Sequence, residues 1–283
     1  ISIAKWVFLA TLAGALVGFP VALFLKLLNA GTGLAGRWEY SFLLLPAALF
    51  LSALLVKYLA PDAKGHGTEK VIEAVHRRAG HIPLAVVPVK LVATLLTLSI
   101  GGSAGKEGPC AQIGAGITSA FSGLLKFSDH DRKKLVICGI SAGFAAVFGT
   151  PIAGAIFGVE VLFIGSILYE VLLPSFISGI TAYQITSAMG ITYFYRPLNF
   201  VPVFSETFLL KVMLAGVFCG LAAMLLIELM KYFERRAHAL RIWEPYKGLI
   251  GGAALVFMAV LASRRYLGLG LDVIENTLSG VPA

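Results

Sequence analysis

Long apolar runs, cut again and again by glycine and proline, leave this chain few ways to fold. Hydrophobic residues fill 58% of its 283 positions, charged residues 13%, and mean hydropathy is +0.87. A chain of that kind belongs in a bilayer, not in water. Lipid offers the backbone no hydrogen-bond partner, so apolar runs of this length are satisfied as helices. The 31 glycines fit helices that pack closely or stop midway. The expected fold class is therefore an all-α integral membrane protein.

Net charge is +8, from 23 Lys and Arg against 15 Asp and Glu. The basic residues sit in short connecting stretches, such as Arg77-Arg78, Arg132-Lys133-Lys134, Arg235-Arg236 and Arg264-Arg265. Cytoplasmic loops of membrane proteins carry that bias, so no nucleic-acid partner is expected. The same charge adds a weaker positive potential that draws anions toward a vestibule. Cys110, Cys138 and Cys219 lie in apolar context at spacings that suit neither a metal site nor a disulfide framework. No cofactor or metal is expected. The chain opens on Ile1 without a signal-peptide pattern, and the N-terminus is expected to be trimmed.

Along the chain, Trp6 to Leu28 reads as a full span and Ser41 to Val56 as a shorter one. Thr68 to Arg78 is amphipathic and too polar to face lipid, which predicts a short or re-entrant helix. Ile82 to Ile100 nearly spans and carries Lys90; Pro109 to Leu125 is a glycine-rich half-span. Phe127 to Lys134 reads as a charged loop. Leu135 to Ile191 is almost continuously apolar, with breaks expected at Gly149-Thr150-Pro151 and near Pro174. Tyr193 to Pro202 reads as an aromatic loop and Leu209 to Met230 as a span. Lys231 to Lys247 is a basic, solvated stretch with a helical pattern, and Leu249 to Ala262 spans again. Spans of unequal length broken by Gly and Pro typify transporters and channels, whose half-helices meet an ion near the midplane.

The most informative break is Gly105-Lys106-Glu107-Gly108-Pro109. A carboxylate there costs roughly 3 kcal/mol on insertion scales, so it faces a cavity, an ion or a partner. Gly-Pro after it marks a new helix, which puts Glu107 at a helix N-terminus. Backbone N–H groups there point outward, and the dipole places about half a positive charge on them. A negative side chain on an anion-attracting helix end reads as a gate that competes with a permeant anion.

There is also an internal echo. Lys57-Tyr58-Leu59, then Gly65-His66-Gly67 and Val71-Ile72-Glu73, are matched by Arg265-Tyr266-Leu267, Gly268-Leu269-Gly270 and Val273-Ile274-Glu275. A second repeat would begin near Phe208 and would have barely started where the sequence stops.

These residues resemble the CLC family of chloride channels and chloride/proton exchangers. Gly105 to Pro109, continuing to Gln112-Ile113-Gly114, is similar to the family's G-(K/R)-E-G-P signature. Lys57 to Gly67 resembles the segment leading to its G-S-G-I-P motif, and Pro88-Val89-Lys90 lies between the two as in the family. Gly139 to Phe148 and Pro151 to Glu160 resemble a further family stretch in order and spacing. The resemblance implies an inverted-repeat bundle of tilted and discontinuous transmembrane helices. It implies a homodimer with one anion pathway per subunit, in the plasma (inner) membrane of a prokaryote. By that template residues 1–205 form the first transmembrane repeat and residues 206–283 start the second, whose remainder is missing. The later G-x-F-x-P motif and the C-terminal tyrosine of the family's anion site are not in this sequence.

The resemblance implies specific roles. Glu107 matches the gating glutamate, which occupies an anion site when deprotonated and swings away when protonated or displaced. Gly65, His66, Gly67, Gly105, Lys106, Gly108 and Pro109 fall on the anion-binding positions. Lys106 contributes positive potential or snorkels to a partner. His66 stands where the family has serine. It either donates an N–H to the anion or turns away and leaves the Gly65 and Gly67 amides to serve it. Val161 falls on the position where exchangers carry a proton-transferring glutamate, and valine cannot carry a proton. Glu160 reads as a buried structural carboxylate and Glu170 as a structural or interface group. The expected function is channel-like passage of chloride or a similar monovalent anion, with no bond made or broken and hence no enzyme. The alternative is a proton-coupled exchanger, chloride/proton or fluoride/proton. A non-transporting scaffold or receptor would instead tie Glu107 permanently to a cation.

Overall fold

The computed structural model describes residues 3–162, 169–193 and 205–278, and no strand occurs among them. Two compact units divide the chain. The first, residues 1–193 with 244–283, holds α1 (Ile3–Gly36), α2 (Leu45–Leu59), α3 (Gly67–Arg77), α4 (Val86–Ser99) and α5 (Glu107–Leu124). It continues with α6 (Asp129–Phe148), α7 (Pro151–Glu160) and α8 (Tyr169–Ala188). After residue 243 the chain adds α10 (Glu244–Leu261) and α11 (Leu271–Leu278) to the same unit. The second unit, Phe194–Trp243, holds α9 (Glu206–Ala239), capped by Ser205 and laced by Glu228 with Lys231 and Arg235.

Among the described residues, Ile3–Gly36, Ser41–Leu59, Glu206–Ala239 and Glu244–Leu261 are long and apolar enough to cross a membrane. The half-spans and the short α3 fall where the Gly and Pro breaks predict. Several boundaries differ. The 127–134 stretch is not a loop throughout: α6 starts at Asp129, because the Ser128 hydroxyl accepts from the Asp131 N–H at 3.2 Å and two acids occupy the first turn. Pro174 does not break α8; it lies inside the helix, where it removes only the donor to the Glu170 carbonyl. Lys231 to Ala239 continues α9 instead of forming a separate stretch, and α10 already begins at Glu244. Most of the Tyr193–Pro202 loop lies outside the described residues.

The core of the first unit is a crossing of α5 and α6 at backbone contact. A Cβ on Gly114 would strike the Gly139 carbonyl, and one on Gly143 would strike the Cys110 carbonyl. On α1, Gly18 meets Ala182 of α8 in the same way, at 2.9 Å from a Cβ to the alanine Cα. Small residues let helices approach this closely where lipid supplies no hydrophobic drive between them. Fully buried Ile113, Leu135, Ile137 and Ile140 fill the space around the crossing. That rigid pair fixes the start of α5, and so fixes Glu107.

Overpacking this crossing is expected to destabilise the protein. Gly139→Val should cost about 1–3 kcal/mol, read as a lower unfolding midpoint in detergent. Gly33→Ala, where nothing lies within 4 Å of the added Cβ, should leave the midpoint unchanged or raise it.

Candidate anion site

Two helix starts build the site. The first α-helical hydrogen bond of α5 runs from the Cys110 N–H to the Lys106 carbonyl at 3.1 Å. The N–H groups of Glu107 and Gly108 therefore have no helical partner, and Pro109 has no N–H to satisfy. α3 starts at Gly67, and the His66 carbonyl accepts its first bond from Lys70 at 3.4 Å.

These two starts touch. A Cβ on Gly67 would strike the Gly108 carbonyl, and one on Gly108 would stand 3.4 Å from the Gly67 nitrogen. Gly67 also faces Gln112, one turn further along α5. Two dipole ends of about half a positive charge each are thereby brought together, an arrangement that favours an anion. Gly65, with φ +78°, turns the chain into α3 in a conformation that a side chain would strain.

The structure brings most of the sequence-predicted residues to this place. Gly65, His66 and Gly67 lead into α3; Gly105, Lys106, Glu107, Gly108 and Pro109 lead into α5. Lys106 and Glu107 are half-buried, and Gly105 is exposed. The Glu107 carboxylate lies against Gly105, so closely that a Cβ there would strike Oε2. Among the described residues Glu107 pairs with no cation and its side chain caps no helix. His66 is exposed and its imidazole does not cap α3.

Other carboxylates are committed elsewhere. Glu170 is bonded to Lys134 and Asp62 to Arg78 at 2.7 Å. On α3 the hydrogen bond and charge of Lys70 hold the Glu73 carboxyl below the usual carboxylate range, so it stays ionised near neutral pH. Glu160 corrects the sequence reading: it is exposed, not buried. The inner face of α7 is taken by Gly154, Ala155, Gly158 and Val159, and Glu160 follows at the helix end, turned off that face. Val161 comes next, half-buried against the larger core cluster.

Two supporting residues carry more than the sequence reading gave them. Lys90 on α4 is 7% exposed and donates to the carbonyls of Ala63 and Gly65 at 2.9 and 2.8 Å. Gln112, 1% exposed, donates to the Asp62 carbonyl at 2.9 Å while its Oε1 has no partner among the described residues. The signal for Lys90 was present: a lysine inside an apolar run demands acceptors. Its partners are far away in sequence and were not legible.

The family described as "Voltage gated chloride channel" matches residues 47–283. The chain belongs to this CLC family. A "Chloride/fluoride channel protein" of Pseudomonas syringae pv. tomato is 32% identical over 97% of this chain and 62% of its own length. The "Voltage-gated ClC-type chloride channel ClcB" of Shigella flexneri is 30% identical over 98% of this chain and 63% of its own. The chain thus spans less than two thirds of either relative. Among solved structures, a CLC-type fluoride/proton antiporter superposes with a TM-score of 0.93 at 27% identity, over 99% of this chain and 71% of that one. A slow cyanobacterial Cl−/H+ antiporter shares the fold, with a TM-score of 0.77 at 22% identity, over 94% of this chain and 66% of that one. CLC proteins sit in membranes as multi-helix bundles, and this chain has the fold.

Gly67→Ala is expected to push the start of α3 off α5 and lower anion flux roughly tenfold, the cost of about 1.4 kcal/mol at the site. Efflux from liposomes measures it; flux equal to the parent would place the permeant anion elsewhere.

Proposed function

We propose that the protein exchanges a small monovalent anion, fluoride foremost, for protons across a prokaryotic membrane, with Glu107 as the shared gate. The observation that carries this reading is the Glu107 carboxylate at the start of α5, paired with no cation among the described residues, beside the equally polarised start of α3. Deprotonated, the carboxylate competes for the place an anion would take. Protonated, it leaves. One group that trades a proton for an anion is the minimum an exchanger needs. The likeness to a fluoride/proton antiporter at 27% identity supports exchange, and the names of two relatives support chloride and fluoride as the anions. Backbone amides at two glycine-lined helix starts also suit a compact, strongly hydrated anion, because nothing bulky keeps it from the N–H groups. Gly65, Gly67, Gly105, Gly108 and Pro109 shape these starts, and Lys106 adds positive potential. A homodimer is the assembly that fits this reading.

Passive conduction is the second reading, and Val161 favours it: a valine offers no inward proton relay. In the exchanger, protons reach Glu107 by a route that does not use this position.

Residues 206–283 are proposed to open a second repeat. α1 and α9 are both 34 residues long. α2 is followed by a 3-10 turn at Pro61–Ala63, Gly65 at φ +78° and α3. α10 is followed by a 3-10 turn at Arg264–Tyr266, Gly268 at φ +74° and α11. The echo between residues 57–73 and 265–275 thus has the same order of elements in both copies.

In liposomes with a fixed anion gradient, the reversal potential is expected to move with the pH gradient, as coupled exchange requires. A potential that tracks the anion alone would establish passive conduction instead. Glu107→Gln is expected to keep anion flux while abolishing its pH dependence and any proton movement. Loss of flux with the pH dependence retained would remove Glu107 from the gate.

A further inference from the structure

We propose that Lys90 is a positioning residue for anion selection: its buried ammonium aims the His66 backbone N–H into the site. The inference rests on the reading of the α3 and α5 starts as the anion site.

Three carbonyls of the loop before α3 are held from behind. Gln112 holds that of Asp62, and Lys90 holds those of Ala63 and Gly65. In a trans peptide the carbonyl and the next residue's N–H share a plane and point opposite ways. Fixing each carbonyl therefore fixes the direction of one N–H. Two of these N–H groups turn back into the loop: that of Ala63 donates to the Ala60 carbonyl at 2.9 Å, and that of Lys64 to the Pro61 carbonyl at 3.1 Å. The third, on His66, finds no acceptor among the described residues. It is directed away from Lys90 at the point where α3 begins. Gly65, at φ +78°, allows the chain to make this turn.

Lys90 is thus not itself an anion ligand. Both of its carbonyl bonds are charge-assisted, the strong class of hydrogen bond, and come from a buried ammonium; they set the angle of a donor. A donor set rigidly at one angle discriminates between anions of different radius better than a mobile one. A Lys at this place therefore acts on which anion passes and how tightly it is held, not only on whether the chain folds.

The test uses the full-length protein in liposomes, with fluoride and chloride efflux each read by an ion-selective electrode. Lys90→Met keeps the length of the side chain and removes the donors and the charge. It is expected to lower fluoride flux about tenfold, near the lower end of what losing charged hydrogen bonds costs. It should also raise the half-saturating fluoride concentration and change the fluoride-to-chloride flux ratio. Lys90→Arg should restore part of both. A folded Lys90→Met protein with an unchanged ratio and half-saturation overturns the inference, whatever its maximal flux, because that is what a merely structural lysine gives. If Lys90→Met yields no monodisperse protein, Lys90→Gln decides by the same readout, since its shorter, uncharged side chain cannot hold both carbonyls; an unchanged ratio overturns the inference there too. Glu107→Gln in parallel separates the two levels. If it leaves the pH dependence intact, the reading of the site fails; if it removes it while the Lys90 variants keep the parent ratio, only the positioning role fails.

Discussion

Two positively polarised helix starts held in contact at Gly67 and Gly108 are the constraint on which the rest of this structure turns. Ends of like sign repel, and in a medium poor in water the repulsion is weakly screened. Such a contact persists only if packing behind it is rigid. α5 is fixed by its crossing with α6, where Gly114, Gly139 and Gly143 put backbone against backbone. α3 is too short and too polar to be fixed by apolar burial alone, and it is instead pegged through its leading loop by Lys90 and Gln112. The strain of the contact is relieved by negative charge. The chain supplies one such charge itself, in Glu107, and in the proposed function a permeant anion is the other.

Several carboxylates of the first unit are committed to ion pairs. Lys5 pairs with Asp131, Arg78 with Asp62, Arg132 with Asp129, Lys134 with Glu170 and Lys70 with Glu73. Those pairs balance charge at the helix ends and loops. Glu107 stands outside this network, next to backbone donors. A carboxylate bonded to a lysine or arginine would be stabilised in one protonation state and one position. In the proposed gate, a carboxylate that faces helix ends instead of a fixed cation can give way to an anion.

Lys90 connects the site to its scaffold. Burying an ammonium is costly unless its donors are met, and two carbonyls meet them here. The same two bonds orient the peptide that leads into α3. The scaffold's need to satisfy a buried charge and the site's need for a fixed donor are thus served by one side chain, and neither function can be changed without the other.

The sequence determined the class of this protein. Apolar runs of unequal length, broken at Gly149-Thr150-Pro151 and before Pro109, admit only a bundle of full and partial helices, and the structure has both. The signature 105–109 was legible as a helix start with a carboxylate because Gly-Pro punctuation and a charge in an apolar run are local signals. Local signals misled where a competing cap decided: Ser128 extended α6 into a charged stretch, and α8 carried Pro174 within it. Glu160 was misjudged because burial depends on which face of α7 meets α6, and composition does not say. What only the tertiary structure decided is the meeting of residues 65–67 with residues 107–108 and the reach of Lys90 and Gln112 to the loop between them. Those contacts join segments far apart in the chain, and their geometry is set by how closely glycine lets two backbones approach, a quantity that no single segment carries.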